Sequence, residues 1–149
     1  MKFLKYWLPV CGWLALMFVG STDLLSAAQT SRLIGPLLRW LNPDISPAAI
    51  AQLQFFVRKA AHLIEYGVLA ALLWRALRGT AAALKMSILA GAALLTCAIF
   101  AASDEFHQSF VASRTASASD VLIDICGAMI GLTICVAVAR RKTVKRKHG

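Results

Sequence analysis

Apolar residues gather in four long runs, and polar residues mark where each begins and ends. The first run extends from Tyr6 to about Gly20 and carries on weakly to Leu25. The second extends from Ala60 to Leu77 and is interrupted by His62 and Glu65. The third, Met86 to Ala102, holds no charge, and the fourth, Asp120 to Ala139, holds one interior charge, Asp124. About 20 residues cross a bilayer as a helix. Backbone groups in hydrocarbon must be paired within their own segment, so each run predicts a helix. A transmembrane barrel would need alternating segments of about ten residues, which the chain lacks. The pattern therefore predicts an all-α membrane protein, a bundle of four transmembrane helices. The helices fall at about 6–25, 58–77, 86–103 and 120–139, in one domain covering 1–149 with a basic tail at 140–149.

The connections differ in length. Arg78 to Lys85 makes a tight turn containing Gly79, whereas Leu24 to Val57 is long and punctuated by Pro36, Pro43 and Pro47. Within the long segment Leu33, Leu37 and Trp40 recur at helical spacing beside Arg32 and Arg39, which predicts a short interfacial helix. Ser46 followed by Pro47 is an N-cap and first-turn proline, so the second spanning helix is expected to start outside the bilayer. The first run also has the layout of a cleavable signal peptide, with Lys2 and Lys5 ahead of it and Ser26-Ala27-Ala28 behind. Trp7 and Trp13 suit an aromatically anchored span, so the first helix is expected to be retained.

Composition agrees with a membrane protein. Of 149 residues 59% are hydrophobic and only 15% charged. A soluble domain is roughly 25% charged. The net charge of +9 is unevenly placed. Lys2, Lys5, Arg75, Arg78, Lys85 and the tail cations Arg140, Arg141, Lys142, Lys145, Arg146 and Lys147 fall on one side of the predicted membrane, with no acid among them. Arg32, Arg39, Arg58, Lys59 and Arg114 fall on the other side, together with all 7 acids. The positive-inside rule then places both termini in the cytoplasm. The tail reads as a topology anchor against anionic lipid rather than a nucleic-acid-binding segment, since no folded module stands behind it. Cys11, Cys97, Cys126 and Cys135 lie in apolar runs and read as small buried hydrophobes.

The polar residues inside the runs carry the functional signal. On the second helix Lys59, His62 and Glu65-Tyr66 recur at spacings of three and four and are expected to share one face. Asp104, Glu105, His107 and Gln108 end the third helix. Asp120, Asp124, Gly127 and Gly131 follow one another at four, three and four on the fourth helix. With alternating helix directions all three clusters reach one depth, within about two turns of the outer interface. Gly127-x-x-x-Gly131 supplies a small-residue surface for close helix contact. Charges within spans face an interior or a wet cavity, so three helices are expected to line one outward-facing cleft. Bland roles compete with this reading. Arg58 and Lys59 are placed to snorkel, His62 to pack, Asp104 and Glu105 to be loop carboxylates, and Asp120 to cap the fourth helix. Glu65 needs a partner at its depth, for which Lys59 and His62 are the candidates.

These residues resemble the VanZ-like family. Lys59-x-x-His62-x-x-Glu65-Tyr66, Asp104-Glu105-x-x-Gln108, Arg114, Asp120 and the Gly127–Gly131 pair match its order and spacing over about residues 10–138. Asp124 stands where the family often has Asn, and Ala112-Ser113 replaces a commoner Pro-Gly turn. The resemblance, to a family named after a member linked to low-level teicoplanin resistance, implies a small multispan protein of the bacterial plasma (inner) membrane, and it does not deliver a reaction.

Three functions fit the residues. One is a site that acts on or binds a lipid-linked cell-wall precursor or a glycopeptide. In that site His62, Glu65, Glu105 and Asp104 are the candidate catalytic groups, and Lys59, Tyr66, Gln108, Arg114, Asp120 and Asp124 the candidate contacts. His62 with Glu65 could exchange a proton, while Lys59 and Arg114 could neutralise phosphate or carboxylate. The excess of acids adds a divalent cation as a possible cofactor. The second function is a proton- or ion-coupled transporter, which the apolar inner halves of the helices disfavour. The third is a non-catalytic protein that binds membrane lipid or scaffolds a partner. No nucleophile motif, phosphate-cradling glycine loop or cofactor fingerprint points to a particular reaction, so enzyme and binder stay open.

Overall fold

The computed structural model describes residues 2–21, 27–110 and 117–148. In chain order the elements are α1 (Lys2–Gly20), α2 (Ala27–Leu41), α3 (Pro47–Thr80), α4 (Met86–Gln108) and α5 (Ala118–His148). Every regular element among the described residues is a helix. α1, α3, α4 and the Ser119–Arg141 part of α5 are long and apolar enough to cross a membrane. The interfacial helix expected between the first two spans is α2.

Local signals explain the ends. The Ser46 side chain accepts a hydrogen bond from the Ala49 amide at 3.1 Å. Pro47 opens α3 where its missing N–H costs nothing. α3 has 34 residues. At about 1.5 Å per residue it is about 50 Å long, well beyond the roughly 30 Å of hydrocarbon. Its first turns therefore project from the bundle and carry α2. At the start of α5 the structure corrects the assignment of Asp120 as the cap. The Ser117 hydroxyl accepts from the Ser119 amide, and Asp120 lies in the first turn with its carboxylate turned toward α3. The basic tail continues α5 rather than leaving it.

α3 is the hub and packs against each of the other helices, while α4 and α5 also pack on each other. The core consists of Tyr66, Leu69, Ala70, Leu73 and Trp74 from α3, Leu89, Ala93, Cys97 and Ala101 from α4, and Ala128 and Leu132 from α5. Val10 is the α1 residue that enters this core. Leu95, Ile99, Leu122, Ile130 and Ile134 point outward and are exposed, as a lipid-facing surface requires.

The α3–α5 contact is the tightest. A Cβ built on Gly127 would stand 2.2 Å from the Leu63 carbonyl oxygen, and one built on Gly131 would stand 2.3 Å from that of Gly67. No side chain larger than hydrogen fits there, so the two glycines let the backbones meet. The opposite end is closed by aromatic packing. Tyr6 fills the space beside Gly79, and the Arg75 guanidinium lies 5.2 Å from the Tyr6 ring centroid, within cation–π range.

Candidate functional site

Helix geometry places the polar residues of α3 on two neighbouring stripes. Lys59, His62 and Tyr66 form one, and Arg58, Ala61 and Glu65 form the other, each spaced by three and four and offset by about 100° around the axis. The first stripe faces α5, just above the glycine contact. Lys59 pairs with Asp120, and the His62 Nδ1–H donates to Asp124 Oδ1 at 3.1 Å. Asp124 is 1% exposed and His62 6%, so this pair lies in the protein interior. Tyr66 continues the stripe into the core. The glycine contact sets the register. Gly127 meets Leu63 beside His62, and Asp124 stands one turn above Gly127.

Lys59 and His62, the two candidate partners of Glu65, both make their direct contacts on α5. Those two groups face Asp120 and Asp124 on α5, and Glu65 turns to the next face. Glu105 joins the buried layer from α4, where its carboxylate accepts the Ser117 amide and ties α4 to the start of α5. Asp104 accepts from Gln108 Nε2 at 2.9 Å, one turn along the same helix. Four of the acids that suggested a shared cation, Asp104, Glu105, Asp120 and Asp124, therefore have separate protein partners. Among the described residues no three His, Cys, Asp or Glu side chains are grouped to hold a metal ion.

The second stripe opens onto a cleft of about 470 Å³ between α1, α3 and α4. Its polar lining comprises Ser21, Gln54, Arg58, His62, Glu65, Asp104 and Gln108, and its apolar lining Met17, Ala51, Phe55, Val57 and Ala61. α1 is held against this region by the Trp13 indole N–H, which donates to the Glu65 carbonyl at 3.0 Å. The one expected cleft is thus two layers, a buried α3–α5 layer and an open α1–α3–α4 layer, with His62 in both. Asp124 holds the Nδ1 proton of His62, so the neutral ring carries its lone pair on Nε2 and can accept a proton there.

Three features of the cleft are not legible in the sequence. Arg58, placed there as a snorkelling cation, lines the cavity, and its buried Nε has no hydrogen-bond partner among the described residues. Gln54 and Ser21 also line it. Gln54, Arg58 and Glu65 recur on one face at four and seven, a signal hidden because Gln54 precedes the apolar run. His107 instead packs its ring on Phe18 of α1, with centroids 5.2 Å apart. Arg114 lies outside the described residues.

Four apolar helices around a buried layer of ion-paired and hydrogen-bonded polar side chains define a multi-pass membrane protein with a polar interior layer. The VanZ/LLP1 family model matches residues 6–140, and the chain belongs to that family. Comparison with curated proteins and with solved structures returned no match.

Proposed function

We propose that the protein binds a membrane amphiphile of the bacterial cell envelope, lipid-linked or glycopeptide in character, with its headgroup in the α1–α3–α4 cleft. One observation carries this reading: a single cavity has a hydrogen-bonding floor of His62, Glu65, Asp104 and Gln108 and an apolar wall of Met17, Ala51, Phe55, Val57 and Ala61. Pockets that hold small molecules combine mostly apolar walls with a few convergent polar groups. Here that combination lies on the surface of a membrane bundle, where an amphiphile can enter from the side. Glu65, Asp104, Gln108 and the Nε2 of His62 contact the headgroup, and Arg58 neutralises an anionic part of it. Lys59, Asp120, Asp124, Glu105 and Tyr66 position these groups from behind. The His62–Asp124 pair gives the site a base of fixed tautomer if the ligand is also a substrate. Arg114, on the segment joining α4 to α5, is proposed as a further anion contact.

The charge distribution supports a cleft that faces away from the cytoplasm, since the acid-free cations lie at the other end of the helices. A transport route receives less support, because Tyr66, Leu69, Leu73 and Trp74 fill the bundle below the polar layer.

Ala61→Trp tests the reading without touching a polar group. Ala61 is exposed on the cavity wall, so the indole fills the space and leaves the buried layer intact. Lipid and glycopeptide retention by native mass spectrometry should fall by tenfold or more while the unfolding temperature in detergent stays unchanged. Equal retention by wild type and variant would sink the proposal.

A further inference from the structure

A second groove adjoins the cleft on the α2 side. It has a volume of about 370 Å³ and is lined by Arg32, Gly35, Pro36 and Arg39 of α2 and by Pro47, Ile50, Ala51 and Gln54 of α3. Ala51 and Gln54 also line the cleft, so the two cavities lie side by side and share a wall. The spacing on α2 gives the groove its character. Arg32, Gly35, Pro36 and Arg39 fall at three, four and seven, so they share one helix face with a guanidinium at each end, about 10 Å apart along the axis. Gly35 and Pro36 leave the space between them empty, and a Cβ on Gly35 would meet nothing within 4 Å. No carboxylate lines the groove among the described residues. The opposite side of α2 exposes Leu37, Trp40 and Leu41, with Trp40 78% exposed. Such a face is expected of a helix lying in the headgroup region.

Alternative roles for these arginines are incomplete. Arg39 lies in the last turn of α2 and complements the helix dipole, but Arg32 does not. Snorkelling requires neither that the two share a face nor that the face be notched. Arginine is suited to phosphate because its planar fork donates two parallel hydrogen bonds to two oxygens. Two forks across a notch fit a group with several anionic oxygens, whereas the cleft next door sets a single guanidinium, Arg58, among hydrogen-bonding and acidic groups. Of the cations nearby on α3, Lys59 is paired with Asp120, and Arg58 lines the cleft together with Glu65 and Asp104.

We infer that the α2–α3 groove is the phosphate subsite of the cleft ligand, which makes the ligand an amphiphile carrying a phosphate or diphosphate ester. Arg32 and Arg39 clasp the phosphoryl oxygens at the membrane interface, Gln54 stands at the junction, and the remainder of the headgroup enters the cleft. This assignment rests on the cleft being a ligand site.

Farnesyl diphosphate, farnesol and inorganic pyrophosphate separate the contributions, with equilibrium binding measured on the full chain in neutral detergent. Charge-assisted hydrogen bonds to two guanidiniums predict farnesyl diphosphate binding at least about tenfold tighter than farnesol. The Arg32→Gln/Arg39→Gln double variant should lower farnesyl diphosphate affinity to that of farnesol while farnesol itself binds as tightly as to wild type. The Arg32→Lys/Arg39→Lys variant, which keeps the charge and loses the fork, should fall between. Equal affinity for farnesyl diphosphate and farnesol, or no effect of the Gln pair, overturns the phosphate subsite and leaves the cleft reading standing. Pyrophosphate binding as tightly as farnesyl diphosphate overturns a lipid as the source of the phosphate. Ala61→Trp leaving farnesol and farnesyl diphosphate binding untouched overturns the cleft reading itself.

Discussion

The two stripes of α3 hold similar residues and meet different surroundings. Lys59, His62 and Tyr66 face the protein interior, and the polar atoms of Lys59 and His62 are matched by Asp120 and Asp124 at the point where Gly127 and Gly131 bring the backbones together. Arg58, Ala61 and Glu65 are one residue back along the chain and face a cavity. A rotation of about 100° separates a cation that holds the bundle together from a cation available to a ligand. Within a membrane span, the presence of a charge therefore says that something must satisfy it, and only the facing element says whether that is protein or ligand.

The buried stripe should be the more sensitive to substitution. His62→Ala leaves the buried Asp124 carboxylate without its hydrogen-bond donor, and stranding a charged group in the interior costs about 3 kcal/mol or more. Detergent thermal or denaturant unfolding should show that loss. The His62→Ala/Asp124→Ala double variant should be more stable than His62→Ala alone, because the stranded charge is gone. A double variant worse than either single variant would mean that the pair does not act as one unit.

The glycine contact ranks next. Gly131→Ala puts a methyl group 2.3 Å from the Gly67 carbonyl oxygen, and neither backbone can yield without moving its helix. A loss of about 1–3 kcal/mol is expected from such overpacking, read by the same unfolding assay. A smaller loss is expected where α1 meets the hub. Trp13→Phe removes the indole N–H that reaches the Glu65 carbonyl and should cost about 1 kcal/mol. If it instead costs as much as His62→Ala, the cleft wall is as much a part of the folding core as the α3–α5 layer, and the contrast between the stripes fails.

Much of this is legible in the sequence because periodicity and depth are local properties. The four apolar runs give the spans, Ser46-Pro47 gives the start of α3 outside the bilayer, and the spacing of Leu33, Leu37 and Trp40 gives α2. The Gly127–Gly131 spacing is a contact surface in itself, so it anticipates the α3–α5 approach. Pairing is not local. Lys59, His62 and Glu65 lie within about two turns of one another, and sequence spacing alone places them on one face. Only the azimuth of α5 around α3 separates the first two from the third. Arg58 and Gln54 escape for the same reason, since the cavity they line is closed by α1, an element distant in sequence. Ser117 and Ser119 make Asp120 resemble a cap, whereas the facing Lys59 engages its carboxylate.

The contrast between the stripes rests most directly on Glu65. It is half-buried on the cavity wall, and glutamine keeps its size and hydrogen-bonding capacity while removing its charge. Unfolding temperature and binding of an amphiphile retained by the wild-type protein should be measured on the same Glu65→Gln sample. The expected result is stability within about 0.5 kcal/mol of wild type, as for substitutions outside the packed core, together with a loss of binding of tenfold or more. Wild-type binding at wild-type stability would remove Glu65 from the site, and a loss of several kcal/mol would place it with His62 and Asp124 in the structural layer.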